Sequence, residues 1–283
     1  MPAADAELVA LARRCWGVLE SLHAIGYFAP ETTQAYVELG LHHRLSYFAA
    51  RSAAMGAVGP ELTTATFYVF SPALVEQALP GSWSIAAPED TQRARRRGVA
   101  AALSRVLGQP DVSEALELAR TVTEGLAAPG RPLYAAHSGL EWPNEPLLAL
   151  WHAATLVREF RGDGHVAVLT HAGLDPVESL VLGGLFADNT DFVKRTRGWS
   201  DEQWGAGQQR LRARGLLDPD GTLTEEGRTF RQRIEDDTDR LAVGGCAHLG
   251  ADGTRRLIEL VTPLRTTVLA SKVLPDWIRG RGK

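Results

Sequence analysis

Helix punctuation recurs along this chain while strand alternation is nearly absent, and this restricts it to a mainly α architecture. Over residues 5–25 the apolar positions Val9, Ala12, Trp16, Leu19 and Leu22, with His23, keep helical spacing. Pro30 and Glu31 open a short helix closed at Gly40, and residues 42–54 form another that ends near Gly56. Ser71-Pro72 reads as an N-cap with proline in the first turn. Residues 88–107 begin on Pro88-Glu89-Asp90 and stop at Gly108, and residues 111–126 repeat the logic with Asp111 as cap. A strongly apolar helix over 144–160 is then followed by Arg161-Gly162-Asp163-Gly164, read as a turn in which Asp163 caps a short helix over 165–172.

The punctuation sharpens in the second part. Asp175-Pro176-Val177-Glu178 combines a cap, a first-turn proline and a glutamate at N3, and Ser200-Asp201-Glu202-Gln203 is a capping box of the S-x-x-Q type. That helix runs to Arg214 and ends at Gly215. Leu216-Leu217 and Thr222-Leu223 then predict two very short strands around Asp218-Pro219-Asp220-Gly221, and Thr224 caps a helix over about 225–242. Helices, a hairpin and a helix in that order make a winged helix with a short two-stranded wing. The expected organisation is a helical region over 1–160, a winged-helix domain over 165–242, and a C-terminal helix and tail over 243–283. The last helix, near 251–272, packs back on the chain or forms a dimer contact.

These residues carry a resemblance. Trp199 to Trp204, Leu211-Arg212-Ala213-Arg214-Gly215-Leu216-Leu217 and Leu223-Thr224-Glu225-Glu226-Gly227 are similar to the MarR-type winged-helix pattern. In that pattern a recognition helix ends in LxxxGLL and a wing leads into LTxxG. The whole chain, with Tyr27-Phe28-Ala29-Pro30-Glu31, Ala65-Thr66-Phe67-Tyr68 and Arg161 to His165, resembles an actinobacterial helix-turn-helix family. The resemblance implies DNA binding, although fold alone does not fix function.

Charge argues against strong DNA binding. The whole chain has a formal net charge of -4. Residues 166–242 carry ten basic against fourteen acidic residues, so the segment that resembles a DNA reader is an acidic part of the chain. DNA affinity is dominated by phosphate neutralisation, and a recognition helix meets base edges with its N-terminal residues. Here those residues are Asp201, Glu202, Gln203, Trp204 and Gly205, and the wing is Asp218-Pro219-Asp220-Gly221, where MarR-type wings usually carry arginine. The cations available to DNA are Lys194, Arg195 and Arg197 before this helix and Arg210 near its end, with Arg212 and Arg214 beyond. In the bland reading they form a solvated face with i,i+4 pairs.

Polar aromatic chemistry gathers elsewhere. All five tyrosines lie in the first half, and seven of eight histidines precede residue 172. Arginine supplies 27 of the 30 basic residues, as in chains from GC-rich genomes, which discounts arginine itself as a signal. The motif H-x-x-x-Y-F-A occurs at His23–Ala29 and again at His43–Ala49. On a helix, His and Tyr at i and i+4 share a face. Each pair either presents an imidazole and a phenol to one cavity or simply packs the core. In the helix over 144–160, His152 and Glu159 are seven residues apart and share an apolar face, about 10 Å along the axis. Arg161 either pairs with Glu159 or clamps an anion, and His165 lies just beyond. His137-Ser138 and Trp142 are placed to close such a pocket. The candidates are therefore Tyr27, His43, Tyr47, Tyr68 and Arg161 as ligand contacts, with His152, Glu159 and His165 as acid–base groups.

Absences narrow the field. Two cysteines, Cys15 and Cys246, exclude a disulfide scaffold and a cysteine-built zinc site. No P-loop, strand–GxGxxG–helix unit, G-x-S-x-G or H-E-x-x-H motif is present. His152, Glu159 and His165 lack a metal-ligand spacing, so no metal is expected, and the sequence names no cofactor. No run of about 20 apolar residues suits a membrane, and residues 1–7 do not resemble a secretion signal, so a cytoplasmic protein is expected. Arg279 to Lys283 reads as a solubilising tail. The expected function is small-molecule binding in a polar pocket of the N-terminal helices, with catalysis left open and a homodimer expected. The alternative is a MarR-type ligand-responsive transcriptional regulator that binds DNA through the winged helix.

Overall fold

The computed structural model describes residues 6–279; residues 1–5 and most of the tail segment lie outside the described residues. The first half contains α1 (Ala6–Phe28), α2 (Pro30–Glu38), α3 (Ser46–Ser52), α4 (Pro60–Phe67), α5 (Pro72–Glu76), α6 (Gly81–Ile85), α7 (Pro88–Leu107), α8 (Ser113–Glu124) and α9 (Pro132–Ser138). The second half contains α10 (Pro146–His171), α11 (Pro176–Phe186), α12 (Thr190–Thr196), α13 (Asp201–Ala213), α14 (Glu225–Ala242), α15 (Gly244–Leu249), α16 (Ala251–Ala270) and α17 (Asp276–Arg279). The mainly α expectation is met. The short helix at 42–54 starts later than its pattern predicts, because residues 42–45 form a turn closed by Ser46 N–H on the His42 carbonyl.

The two-stranded wing is corrected. Among the described residues there is no strand, only one antiparallel bridge between Leu217 and Leu223. The turn consumes the segment: Asp218 N–H bonds to the Thr222 carbonyl, Gly221 N–H to the Asp218 carbonyl, and the Asp220 carboxylate takes both the N–H and the hydroxyl of Thr222. Too few residues remain for a ladder.

The turn at Arg161-Gly162-Asp163-Gly164 is also corrected, because α10 runs through it without a break. Two glycines weaken a helix by about 1 kcal/mol each relative to alanine, but tertiary contacts override that propensity. Each residue around them is used by a neighbour. Arg161 bonds Glu235 and Asp239 on α14. Asp163 caps α9 rather than a helix of its own, with its carboxylate accepting from the N–H groups of Leu133 and Tyr134 at 3.0 and 2.9 Å. Gly164 leaves room for the Arg131 guanidinium, which a Cβ there would meet at 2.1 Å. The helix is buried over most of its length and all round, as a central helix must be.

Around α10 the apolar side chains form three main cores. The first joins α1, α7, α8, α10 and α16, with Leu19, Leu22, Ile25, Leu150 and Leu257 fully buried. The helix expected near 251–272, α16, thus packs back against α1. The second core lies under α2 and α3 around Phe48, Phe67, Phe70 and Leu79. The third is the helix-turn-helix unit, in which Val168 and Leu169 from the end of α10 pack with Leu180, Val181, Trp204, Leu211 and Ile234. Both capping boxes form, at Asp175 and at Ser200, and Thr224 caps α14. No helix among the described residues is long and apolar enough to cross a membrane.

The LTxxG element has a physical basis. Thr224 accepts from Gly227 N–H at 2.9 Å, and a Cβ on Gly227 would lie 2.1 Å from the Leu216 carbonyl oxygen. That neighbour is backbone and cannot swing away. Gly227→Ala is therefore expected to destabilise the chain by about 2 kcal/mol or more. Urea denaturation checks this, and a change under about 0.5 kcal/mol would show that the Leu216–Leu223 turn relaxes freely.

A buried charge cluster and a tyrosine-lined cavity

Glu159 is fully buried and forms the centre of an ionic cluster. Its carboxylate accepts from Arg51 Nη2 at 2.9 Å and Nε at 3.3 Å, from Arg158 Nη1 at 2.6 Å and from the Tyr27 hydroxyl at 3.4 Å. Burial alone would raise the carboxyl pKa, but the Arg158 and Arg51 guanidiniums outweigh it and hold the group well below the usual carboxylate range. Arg51 also donates to the Tyr47 hydroxyl at 3.3 Å and lies over the Phe67 ring. This geometry follows from α10: Glu159 faces α1 and α3, whereas Arg161 is turned about 200° away and pairs with Glu235 and Asp239 at 2.9 and 2.8 Å. Of the two alternatives for Arg161, the pairing with Glu159 is not formed, and Arg158 and Arg51 take that carboxylate instead.

His152 and Glu159 do share the inward side of α10, but each has its own surroundings. His152 packs edge-on to Trp142 with ring centres 4.8 Å apart, and burial pushes its pKa down to about 3. His165 lies on another face because the helix is continuous. There it contacts the Thr238 hydroxyl at 2.9 Å, and burial brings its pKa down to about 4. The three acid–base candidates are therefore not assembled at one point. Tyr68 is also remote from the cluster and donates to the Leu174 carbonyl at the start of the helix-turn-helix unit.

Three of the ligand candidates do converge. Tyr27, His43 and Tyr47 line a small cavity of about 50 Å³ together with Tyr36, Thr32, Thr33, Ser46 and Arg95. The repeated H-x-x-x-Y-F-A motif places them there. His23 and Tyr27 stack edge-on on α1 with centres 4.9 Å apart, and Tyr27 and Tyr47 meet at 5.3 Å. His43, on the exposed turn before α3, stands at the mouth. Thr155 donates its hydroxyl to the Trp151 carbonyl, so His23 Nδ1–H is the donor in the 3.0 Å contact with Thr155 Oγ1. Burial keeps His23 neutral, with its pKa well below the usual value.

Sequence reading missed Arg51, Arg95 and Arg158, and it placed His137 as a pocket-closing residue rather than as the partner of Arg95. For Arg51 a signal existed: His43, Tyr47 and Arg51 continue one i, i+4 series. The discount on arginine in an Arg-rich chain concealed it.

The helix-turn-helix cations are largely engaged. Lys194 pairs with Asp201 at 2.6 Å, and Arg210 pairs with Asp175 at 2.5 Å and Glu178 at 3.5 Å. Arg197 is sandwiched near the Phe70 and Phe192 rings, at 4.6 and 5.6 Å. Arg195 is exposed and forms no ion pair among the described residues. The segment before α13 is moored to the N-terminal helices, because Ser71 N–H bonds to the Arg197 carbonyl and Trp199 Nε1 to the Val69 carbonyl.

A family model described as a helix-turn-helix family matches residues 12–275, nearly the whole chain and not the segment over 165–242 alone. The chain belongs to this helix-turn-helix family. No curated protein and no solved structure matches it. The match spans the cavity-bearing helices as well as α11 to α14, so the family unit includes both.

Proposed function

We propose that this member of the helix-turn-helix family is a small-molecule-binding protein. Its N-terminal helices, over about 1–160, hold the ligand, and its MarR-like helix-turn-helix segment, over 165–242, reports occupancy. The observation that carries the reading is the convergence of Tyr27, His43 and Tyr47 on a polar cavity beside the Glu159 cluster. The unliganded volume suits a few atoms only, so a ligand of ordinary size enters by displacing the exposed turn at His42 to Leu45. The continuous α10 and the Val69–Trp199 mooring connect that turn's neighbourhood to α13. An acid–base role for His152, Glu159 and His165 is not part of the proposal, since their protons are committed or disfavoured at neutral pH.

DNA binding on this reading is weak, because Lys194 and Arg210 already face carboxylates and Asp201 and Glu202 stand at the tip of α13. Fluorescence anisotropy on the chain's own promoter duplex tests it. We expect a micromolar Kd at 50 mM salt and a log–log salt slope shallower than about -3, reflecting few neutralised phosphates. Nanomolar, sequence-specific binding with a slope of about -6 would instead support the second reading, a MarR-type ligand-responsive regulator. One observation favours that reading: the outward side of α13 carries Gly205, Gln208 and Gln209, and nothing crowds Gly205. Glutamine amides are suited to adenine edges. A homodimer is part of either reading, and light scattering that returns a monomer mass removes it.

A further inference from the structure

Among the described residues Arg95 is the largest fully buried side chain, at 1% exposure, and no carboxylate partners it. Its Nη1 donates to His137 Nε2 at 3.0 Å. That acceptor is a neutral imidazole. His137 Nδ1 must donate to the Leu133 carbonyl at 2.9 Å, which leaves only the Nε2 lone pair for Arg95. The guanidinium also lies over the Trp151 ring at 5.1 Å. Its Nη2 is buried without a hydrogen-bond partner. Of the other guanidiniums nearby, Arg51 is buried on Glu159 and the half-buried Arg158 lies between Glu159 and Glu20, so two cations meet two carboxylates and the uncompensated positive charge is at Arg95. A buried cation without a counter-charge is among the more costly features a fold can carry.

Arg95 lines the floor of the Tyr27–His43–Tyr47 cavity, next to Tyr36. Tyr36 is buried and its hydroxyl has no protein partner among the described residues. We propose that the cavity takes an organic carboxylate, with its oxygens on Arg95 Nη2 and the Tyr36 hydroxyl and its organic body leaving between Tyr27, Tyr47 and His43. This rests on the ligand-binding reading above and adds the class of ligand. A guanidinium fork with an adjacent phenol donor matches the planar geometry of a carboxylate. The single free cation matches its single charge, whereas a phosphate dianion would meet only one. The cavity, about 50 Å³, accommodates a carboxylate head and little more, so the remainder of the ligand reaches the mouth.

The test uses acetate as the minimal head group and acetamide as its neutral isostere, on the full chain at constant ionic strength. Binding is read from thermal shift and from Trp fluorescence, since Trp151 lies beside Arg95. Acetate is expected to bind and acetamide not to. Arg95→Met, which keeps length and removes charge, should weaken acetate about tenfold or more. Tyr36→Phe should weaken it by about threefold to tenfold. Should Arg95→Met fail to fold, the acetate–acetamide contrast and Tyr36→Phe decide. Acetate binding equally to wild type and to Arg95→Met overturns the assignment. Binding by acetamide alone overturns the carboxylate but leaves the ligand cavity standing, whereas binding by neither overturns both.

Discussion

Replacing Glu159 with glutamine is expected to destabilise the chain by about 3–5 kcal/mol, a large share of the roughly 5–15 kcal/mol that holds a typical domain together. The substitution keeps size and shape, so packing is unchanged and the effect is electrostatic. Glu159 is fully buried and is the shared counter-ion of Arg51 and Arg158. Without its charge, Arg51 and nearby Arg95 stay buried with no carboxylate partner, and the half-buried Arg158 keeps only Glu20 at 4.0 Å. The Tyr27 hydroxyl also loses its ionised acceptor. Arg51→Met alone should be milder, because Arg158 still matches Glu159 one to one. The double variant Glu159→Gln/Arg51→Met should recover part of the loss, since it leaves one fewer stranded cation. Urea denaturation of the four proteins gives the coupling directly. A Glu159→Gln protein within about 1 kcal/mol of wild type would mean that the guanidiniums find other partners, and the cluster would lose its central role.

The placement of this cluster shows which kind of information a single sequence exposes. Local grammar was legible: Asp175, Ser200 and Thr224 cap the helices their spacing predicts, because a cap is decided within four residues. The helix-turn-helix unit followed from them. The His–Tyr repeat pointed to the cavity for the same reason, since two i, i+4 pairs are local facts. What stayed hidden was every interaction that closes over distance. Arg161-Gly162-Asp163-Gly164 reads as a turn because its own residues disfavour helix, yet partners on α9 and α14 and the Arg131 side chain hold it helical. That one difference rotated Arg161 and His165 away from Glu159. Arg95 and Arg51 lie 42 and 108 residues from the partners that define them, His137 and Glu159, and their spacing carries no local trace of the contact.

Acidification should unfold this protein earlier than its content of carboxylate ion pairs alone suggests. Four histidines are neutral, His23, His137 and His152 buried and His165 half-buried, and desolvation lowers the pKa of each, to about 4 for His137, about 3 for His152 and about 4 for His165. In the unfolded chain each returns to about 6.5. Between those values the unfolded state binds more protons than the native state, so stability falls as pH falls. Each such histidine contributes about 1.4 kcal/mol per pH unit below 6.5. Asp163 acts in the opposite sense. Burial raises its carboxyl to about 6 against the backbone N–H groups of Tyr134 and Leu133 that favour ionisation, so its protonation between about 6 and 3.8 favours the native state. It offsets about one histidine. The net slope is about 4 kcal/mol per pH unit, which would exhaust a typical stability between about pH 4 and 5. Glu159 and Glu235 add to the loss only below about 4.5, where the unfolded chain protonates these carboxylates while the neighbouring guanidiniums keep both ionised in the native state. Denaturant midpoints should therefore be flat from pH 8 to 7 and fall steeply below 6. His152→Phe should remove about one proton from the slope, and Asp163→Asn should steepen it. A midpoint that is the same at pH 7 and pH 5 would show that these histidines reach water in the native state.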